Sequence, residues 1–372
     1  LSTITVARLI EPGKPLEVGS TEKPAPGPRD VLVKVAACSV VPNTYNIVNG
    51  LTQLGLPPLP AVFGLDVSGT VEEIGSQVIG LNVGDRVYVD PWHTCENCHH
   101  CRRGRRDMCA SAALRGYMYA TPGGEKTITH YPLGGFSEYV LSPDRRVTKL
   151  PDSIDFCTAA KFGYVGTSFA ALQKGGLKPG KTLLVNGVTG TLGVAAVAIG
   201  LGLGATKILG IGRNPELLER VRQLAPGRVE TVSSIDCPDL AAWAKSHTDG
   251  YGVDVMYDCL GVGGDIGGTN ELMRGIKDGG RAVLAAAGVE GSVNQSYFEV
   301  LLHDVHAVGS QWFSEDDLEL MVALIGSGVI DLSYLEHKRF PLPEVNEAIN
   351  FVGARPGGFA NVVVLPCEDD VA

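Results

Sequence analysis

Four cysteines in one short loop, Cys95, Cys98, Cys101 and Cys109, constrain this chain more than any other feature. Their spacing is C-x2-C-x2-C-x7-C, within PWHTCENCHHCRRGRRDMC. It lets four thiolates close a tetrahedron around Zn²⁺ with no open coordination position left. A metal held this way is structural: it orders a loop with little apolar material of its own. A disulfide framework fits poorly, because the chain has 9 Cys, an odd number, and no secretory signal is read at its start. An Fe–S cluster also takes four cysteines, but the x7 gap is not a usual cluster spacing. One structural Zn is therefore expected. Arg102, Arg103, Arg105 and Arg106 lie between the third and fourth cysteines and would soften the negative charge of such a centre. His99 and His100 are expected at the surface.

Composition narrows the class. A chain of 372 residues is long enough for two domains. The net charge of -10 argues against nucleic acid and anionic membranes as partners. No run approaches the ~20 apolar residues of a membrane span. The richest, LGVAAVAIGLGLGA (192–205), is studded with glycine and reads as a buried helix. The expected setting is the cytoplasm, and the expected partner a small-molecule substrate.

The rhythm of the chain changes once. Up to about residue 164, short apolar runs such as DVLVKVAAC (30–38), GLDVSGTVEEIG (64–75) and GDRVYVD (84–90) alternate with Gly/Pro turns, which predicts an antiparallel, barrel-like lobe. From 165 to 310, apolar strand candidates alternate with helical stretches: TLLVNG (182–187), KILGIG (207–212), VDVMYDCLG (253–261), RAVLAAAG (281–288) and VHAVGS (305–310). That alternation predicts a doubly wound parallel sheet covered on both faces, an α/β fold. Residues 311–372 are expected to return to the first lobe through two helices and a closing strand, FANVVVL. The domains so defined are 1–164, 165–310 and the returning 311–372.

The first βα turn of the second domain is Gly187-Val188-Thr189-Gly190-Thr191-Leu192-Gly193. Glycines let the backbone approach a pyrophosphate, and the following helix offers free N–H groups and the positive end of its dipole. The next strand ends Gly210-Ile211-Gly212-Arg213-Asn214. An NAD enzyme usually places Asp or Glu there to bind the ribose hydroxyls; here Gly212 stands in its place and Arg213 follows. A missing carboxylate removes repulsion toward a 2′-phosphate, and a guanidinium can grip one in bidentate fashion. The expected cofactor is NADP(H).

With these features, nearly the whole chain resembles the medium-chain dehydrogenase/reductase superfamily of zinc alcohol dehydrogenases and quinone oxidoreductases. The resemblance rests on the cysteine loop, GLDVSGTVEEIG, LKPGKTLLVNGVTGTLG and FANVVVL. It implies a GroES-like β-rich catalytic domain plus a Rossmann domain, Thr167 near the cofactor, and a homodimer or homotetramer. Subunits would pair through edge strands, here the segments RAVLAAAGVEGSVNQ and VHAVGS. It also implies three ligands for a catalytic zinc. The first falls on Cys38, the second on Leu65 and the third on Gly163. Leu and Gly offer no donor atom, and a catalytic zinc wants three protein ligands. The hydroxyl and histidine of the usual proton relay fall on Val40 and Asn43. The segment Gly64–Gly69 and the loop Val40–Asn46 match the zinc-free quinone oxidoreductase branch better, although that branch's Asn, Asp and Tyr fall on Val41, Thr44 and Asn46.

Without a Lewis acid, simple alcohol oxidation loses its usual driver. An enone or quinone needs less help, because a conjugated carbonyl already polarises the carbon that takes the hydride. The expected reaction is therefore NADP(H)-dependent hydride transfer to an activated C=C or C=O without a catalytic metal. The catalytic candidates are Asn43, Thr44, Tyr45 and Asn46, with Tyr45 as proton donor, and Cys38; a packed tyrosine and a buried apolar cysteine are the structural alternatives. Asp66 is expected to orient a neighbouring group, and Tyr164, Trp92, His93 and Trp312 are candidate cleft walls. Two competing readings stay open: a zinc-dependent alcohol or ketone dehydrogenase using Cys38 with His93 or His130, and a lyase or hydrolase that keeps the dinucleotide.

Overall fold

A computed structural model describes residues 2–51, 55–119, 121–286 and 289–367. The chain divides into two compact units: Leu1–Gly163 with Leu335–Pro356 and Ala360–Ala372, and Tyr164–Tyr334 with Gly357–Phe359.

The first unit is β-rich. Its central strand, Asp30–Ser39, pairs antiparallel with Val67–Ile74 on one side and with Tyr139–Pro143 and Ala360–Leu365 on the other. Being flanked on both edges explains its Val/Ala-rich sequence, DVLVKVAACS, which is buried at eight of ten positions. The sheet runs Val147–Lys149, Arg86–Val89, Val67–Ile74, Asp30–Ser39, Ala360–Leu365, Glu336–Pro341. A small antiparallel ladder of Trp92–His93, Ala113–Leu114 and Met118–Tyr119 brackets the cysteine loop.

The second unit holds a sheet of six parallel strands among its described residues. Their spatial order is Val229–Ser233, Lys207–Gly212, Thr182–Asn186, Val253–Asp258, Ile276–Leu284, His306–Gly309. In chain order that is third, second, first, fourth, fifth, sixth, the doubly wound dinucleotide-binding arrangement. Five of these strands match the apolar runs read from the sequence; residues 287 and 288 of RAVLAAAG lie outside the described residues. Val229–Ser233 was not expected. It is an edge strand with one fully buried residue, so it lacks a continuous apolar run. The helix Thr191–Gly202 buries Gly193–Gly200, as its glycine-studded apolar run predicts.

The returning segment starts later than expected. Residues 311–334 stay with the second unit, and the return falls at Leu335 rather than 311. The reason is packing: a Cβ on Gly166 would meet the Phe313 ring at 2.5 Å, and one on Gly202 would meet the Val329 carbonyl oxygen at 2.5 Å. The helix Glu315–Gly326 buries Leu318, Met321 and Val322.

Asp254 fastens the start of the central strands. Its carboxylate accepts from the Lys181 Nζ at 3.0 Å and from the Thr182 N–H at 2.8 Å, and it pairs with Lys277. Burial by itself would raise its pKa, but the bonds from Lys277, Thr182 and Lys181 hold it down at about 2. A depressed carboxylate gives stability above its ordinary pKa that is lost as pH falls through the folded value. Wild-type stability is therefore expected to drop between about pH 4 and 2. Asp254→Ala should cost about 3 kcal/mol at pH 7 and make that drop shallower, as read by urea unfolding across pH.

Candidate functional site

The cysteine loop has the geometry of a metal centre. Sulfur atoms of Cys95, Cys98, Cys101 and Cys109 all lie within 4.8 Å of one another. Two of the separations, Cys98–Cys101 and Cys95–Cys109, are 3.6 Å. A tetrahedron with Zn–S near 2.3 Å has sulfur edges of about 3.8 Å, so the cluster fits zinc and fills all four positions. Backbone N–H groups of Cys95 and Ser111 donate to Cys109 Sγ at 3.3 Å. Similar donors from Ala110 and Cys101 hold the Cys98 thiol down at about 6, while burial pushes those of Cys101 and Cys109 up.

The arginines of the loop serve its frame. Arg105 forks onto Asp107, Arg102 donates to Asn97, and Arg106 pairs with Glu96 at 2.8 Å. Glu96 also pairs with Arg145 at 3.2 Å, which ties the loop to the helical turn Asp144–Arg146 ahead of the strand Val147–Lys149. Trp92 is buried, with its indole N–H on the Arg106 carbonyl at 3.0 Å. It is part of the loop's support, not a cleft wall.

The three family ligand positions of a catalytic zinc lie in the first unit. Cys38 is fully buried, and burial, then the Asp66 charge, push its thiol well up. Leu65 is buried and apolar. Gly163 has no side chain, and the space one would use is taken: a Cβ there would meet Asp66 Oδ1 at 2.2 Å and Oδ2 at 2.5 Å. Asp66 is fully buried. It accepts from the Tyr88 hydroxyl at 2.7 Å and from the Gly163 N–H, and it faces Lys161. Sequence reading gave Asp66 an orienting role; its occupation of the third ligand's space could only be seen in three dimensions. Among the described residues, the cysteine loop is the one group of three or more metal-ligating side chains close enough to share an ion.

The helix Pro42–Val48 carries the other catalytic candidates. Thr44 is buried, and Asn46 donates to Asn43 Oδ1 at 3.2 Å. The Tyr45 ring lies over Gly353, where a Cβ would meet Cδ2 at 2.4 Å, so it helps dock this helix on Val345–Gly353.

The glycine turn has the expected frame. It follows the strand Thr182–Asn186 and opens the helix Thr191–Gly202. Gly187 has φ +88°, and a Cβ on Gly193 would meet the Gly187 carbonyl oxygen at 2.3 Å, so helix and turn approach as only glycine permits. Thr189 and Gly190 are backed by Gly358, whose N–H donates to the Thr189 carbonyl at 2.9 Å. Leu192 accepts at its carbonyl from the Ser168 hydroxyl at 2.9 Å, next to buried Thr167. Gly212 ends its strand against Thr189 and Leu218, Arg213 is exposed, and Asn214 caps the next helix through the Leu217 N–H at 3.1 Å. A buried network was not foreseen: Asp258 accepts from Asn186 at 2.9 Å and from Thr269 at 2.7 Å, joining the carboxyl ends of two central strands.

A β-rich unit with a four-cysteine metal centre and a doubly wound dinucleotide unit define a zinc-binding dehydrogenase architecture. Residues 27–152 match the family model of the alcohol dehydrogenase GroES-like domain, and residues 191–327 that of the zinc-binding dehydrogenase. The chain is 27% identical over 351 residues to an NAD-dependent alcohol dehydrogenase of Sulfurisphaera tokodaii, covering 92% of this chain and 94% of that protein. It is 30% identical over 259 residues to an NAD-dependent alcohol dehydrogenase of Saccharolobus solfataricus, covering 68% and 70% respectively. A thermostable alcohol dehydrogenase from Pyrobaculum aerophilum superposes with TM-score 0.79 at 25% identity, over 98% of this chain and 100% of that one. The chain belongs to the medium-chain dehydrogenase/reductase superfamily and is an alcohol dehydrogenase-like oxidoreductase. No helix of the described residues is long and apolar enough to cross a membrane.

Asp66 supplies a test of the buried cluster. Burial first, then the nearby Asp90, raise its pKa from 3.8 to about 7, against the lowering effects of Tyr88, Lys161 and Gly163. The folded protein thus holds this proton more tightly than the unfolded chain. Its contribution to stability is full below pH 4 and falls away as pH rises to about 7. Asp66→Asn is expected to flatten that decline, by on the order of 4 kcal/mol, in urea unfolding between about pH 4.5 and 7.5.

Proposed function

We propose that this oxidoreductase is an NADP(H)-dependent reductase of an activated C=C or C=O, with one structural zinc at Cys95, Cys98, Cys101 and Cys109 and no catalytic metal. One observation carries the metal-free reading: the Asp66 carboxylate fills the space of a side chain at position 163, beside an apolar Leu65. The Arg115 guanidinium, within electrostatic reach of Cys38, further opposes a dication there.

The cofactor, when bound, supplies a hydride with its two electrons. Gly187, Thr189, Gly190, Thr191, Leu192 and Gly193 are proposed to hold its pyrophosphate, Thr167 to lie near its reactive end, and Gly212, Arg213 and Asn214 to receive the 2′-phosphate. The Sulfurisphaera and Saccharolobus relatives are NAD-dependent alcohol dehydrogenases; the NADP(H) reading rests on this chain's own Gly212 and on Arg213, whose exposed guanidinium is available to an anion. For the proton that completes the reduction we propose Tyr45, anchored over Gly353, with Asn43, Thr44 and Asn46 supplying hydrogen bonds. Cys38 is proposed as an apolar wall residue.

Elemental analysis of protein purified without chelator is expected to give about one zinc per chain. NADPH oxidation with small enones or quinones should then proceed, faster than with NADH and unimpaired by brief chelator treatment. Arg213→Ala should raise KM for NADPH about tenfold and leave KM for NADH unchanged. A zinc content near two, with alcohol oxidation, would return the reading to a zinc alcohol dehydrogenase.

The proposed assembly is a homodimer or a pair of dimers. The strand His306–Gly309 is the sheet's outer edge, and the preceding helix Tyr297–His303 exposes Phe298 at 64% and Leu301 at 63%. An unpaired edge flanked by apolar side chains invites a second copy. Light scattering is expected to report at least a dimer for the wild type, and Phe298→Asp with Leu301→Asp to shift the protein to monomer.

A further inference from the structure

Arg115 is the least expected side chain of the first unit. It follows the strand Ala113–Leu114 and begins the tight turn into Met118–Tyr119, with Gly116 at φ +64°. A residue at such a turn ordinarily faces water. Arg115 is instead 0% exposed. The cause is a close backbone contact. A Cβ on Gly116 would meet Gly134 Cα at 2.4 Å and the Gly64 carbonyl oxygen at 2.5 Å, so the turn is pressed onto the segments that lead to Asp66 and Gly135. Gly135 in turn lies against the Cys38 sulfur. The guanidinium is thereby drawn into reach of Cys38, Tyr88, Asp90, Asp66 and His93.

Among the described residues none offers Nε, Nη1 or Nη2 of Arg115 a hydrogen bond. The buried charges of this unit are otherwise matched. Asp144 is held by Arg29 at 2.8 Å, Asp90 by Arg146 at 3.0 Å, and Asp66 faces Lys161. Arg115 has Asp66 and Asp90 within electrostatic reach, but neither gives it a hydrogen bond. Two further buried atoms near it lack partners among the described residues, the His93 Nε2 and the Asp66 Oδ2. A fully desolvated cation with five free N–H groups is strongly disfavoured unless an anion completes it.

We propose that Arg115 marks a buried binding site for a small monocarboxylate, gripped in fork-to-fork fashion by the guanidinium with His93 Nε2 beside it. The planar fork matches a carboxylate better than a spherical ion. Identifying that carboxylate as part of the hydride acceptor rests on the reductase reading above; the site itself does not.

The test is the thermal midpoint of the apo and NADP⁺-bound protein with sodium acetate or sodium crotonate, against crotonamide and sodium chloride at matched ionic strength. Both carboxylates are expected to raise it by about 3 °C at ten times Kd, and crotonamide and chloride not to. Arg115→Met, which removes the buried charge that lacks hydrogen bonds, should be at least as stable as wild type in carboxylate-free buffer and should lose the response. Arg115→Lys, a point charge without the fork, should bind about tenfold more weakly. No response in wild type, an equal response to chloride, or a response kept by Arg115→Met overturns the site. A less stable Arg115→Met would mean a structural brace and overturn it too. Turnover of neutral enones without carboxylate binding would leave the reductase reading standing alone; carboxylate binding without NADPH oxidation by any acceptor would do the reverse.

Discussion

The Asp66 carboxylate, locked by the Tyr88 hydroxyl and the Gly163 N–H, sets the chemistry of the first unit. A side chain in that space elsewhere in the superfamily can ligate a metal; here glycine vacates it and a carboxylate moves in. Once the carboxylate is buried, the surrounding charges must answer it. Lys161 faces it, with its own ammonium pulled down to about 8 by burial, and Arg146 neutralises the neighbouring Asp90. The lobe thus keeps a charged core, although the donor set for a catalytic zinc is dispersed.

The donor atoms of the cysteine loop are all in place, whereas Leu65 and Gly163 offer none. The cysteine loop retains four sulfurs within one coordination sphere, braced by Glu96, Arg106 and the Trp92 indole. Both the loop and the Arg115 turn hang on the same short ladder, because the Arg115 N–H bonds the Pro91 carbonyl at 2.9 Å while Trp92 pairs with Leu114. Ordering the loop therefore also orders the turn that carries the buried guanidinium. A structural centre remote in kind from catalysis can in this way hold a polar group in place.

Much of the architecture was legible because it rests on local patterns. Cysteine spacing, the glycine turn between an apolar strand and an apolar helix, and five continuous strand runs each carry their own signature. The strand Val229–Ser233 carried none, since an edge position needs little apolar surface. The return point was misplaced because packing of Phe313, Val329 and Ile330 against glycines of other helices leaves no mark in the neighbouring sequence. At the site, the loss of ligands at Leu65 and Gly163 was visible as residue identity. What replaced them was not. Nothing in ALRGYMY says that a turn arginine points inward; that follows from three glycines, Gly64, Gly116 and Gly134, far apart in sequence and stacked in space.

The strand Ala360–Leu365 lies inside the first unit's sheet, between Asp30–Ser39 and Glu336–Pro341. The order in which a ribosome releases the chain therefore runs against the order in which it can finish folding. The amino-terminal lobe emerges before the middle segment but must wait, the Cys38–Ser39 end of its central strand open on one side, until Ala360–Leu365 has been made. The middle segment Tyr164–Tyr334 holds all six strands of its own sheet and can close while the lobe still waits. During that interval the open carboxyl end of Asp30–Ser39, with its Ala and Cys side chains, is a stretch of nascent chain in need of protection from neighbours.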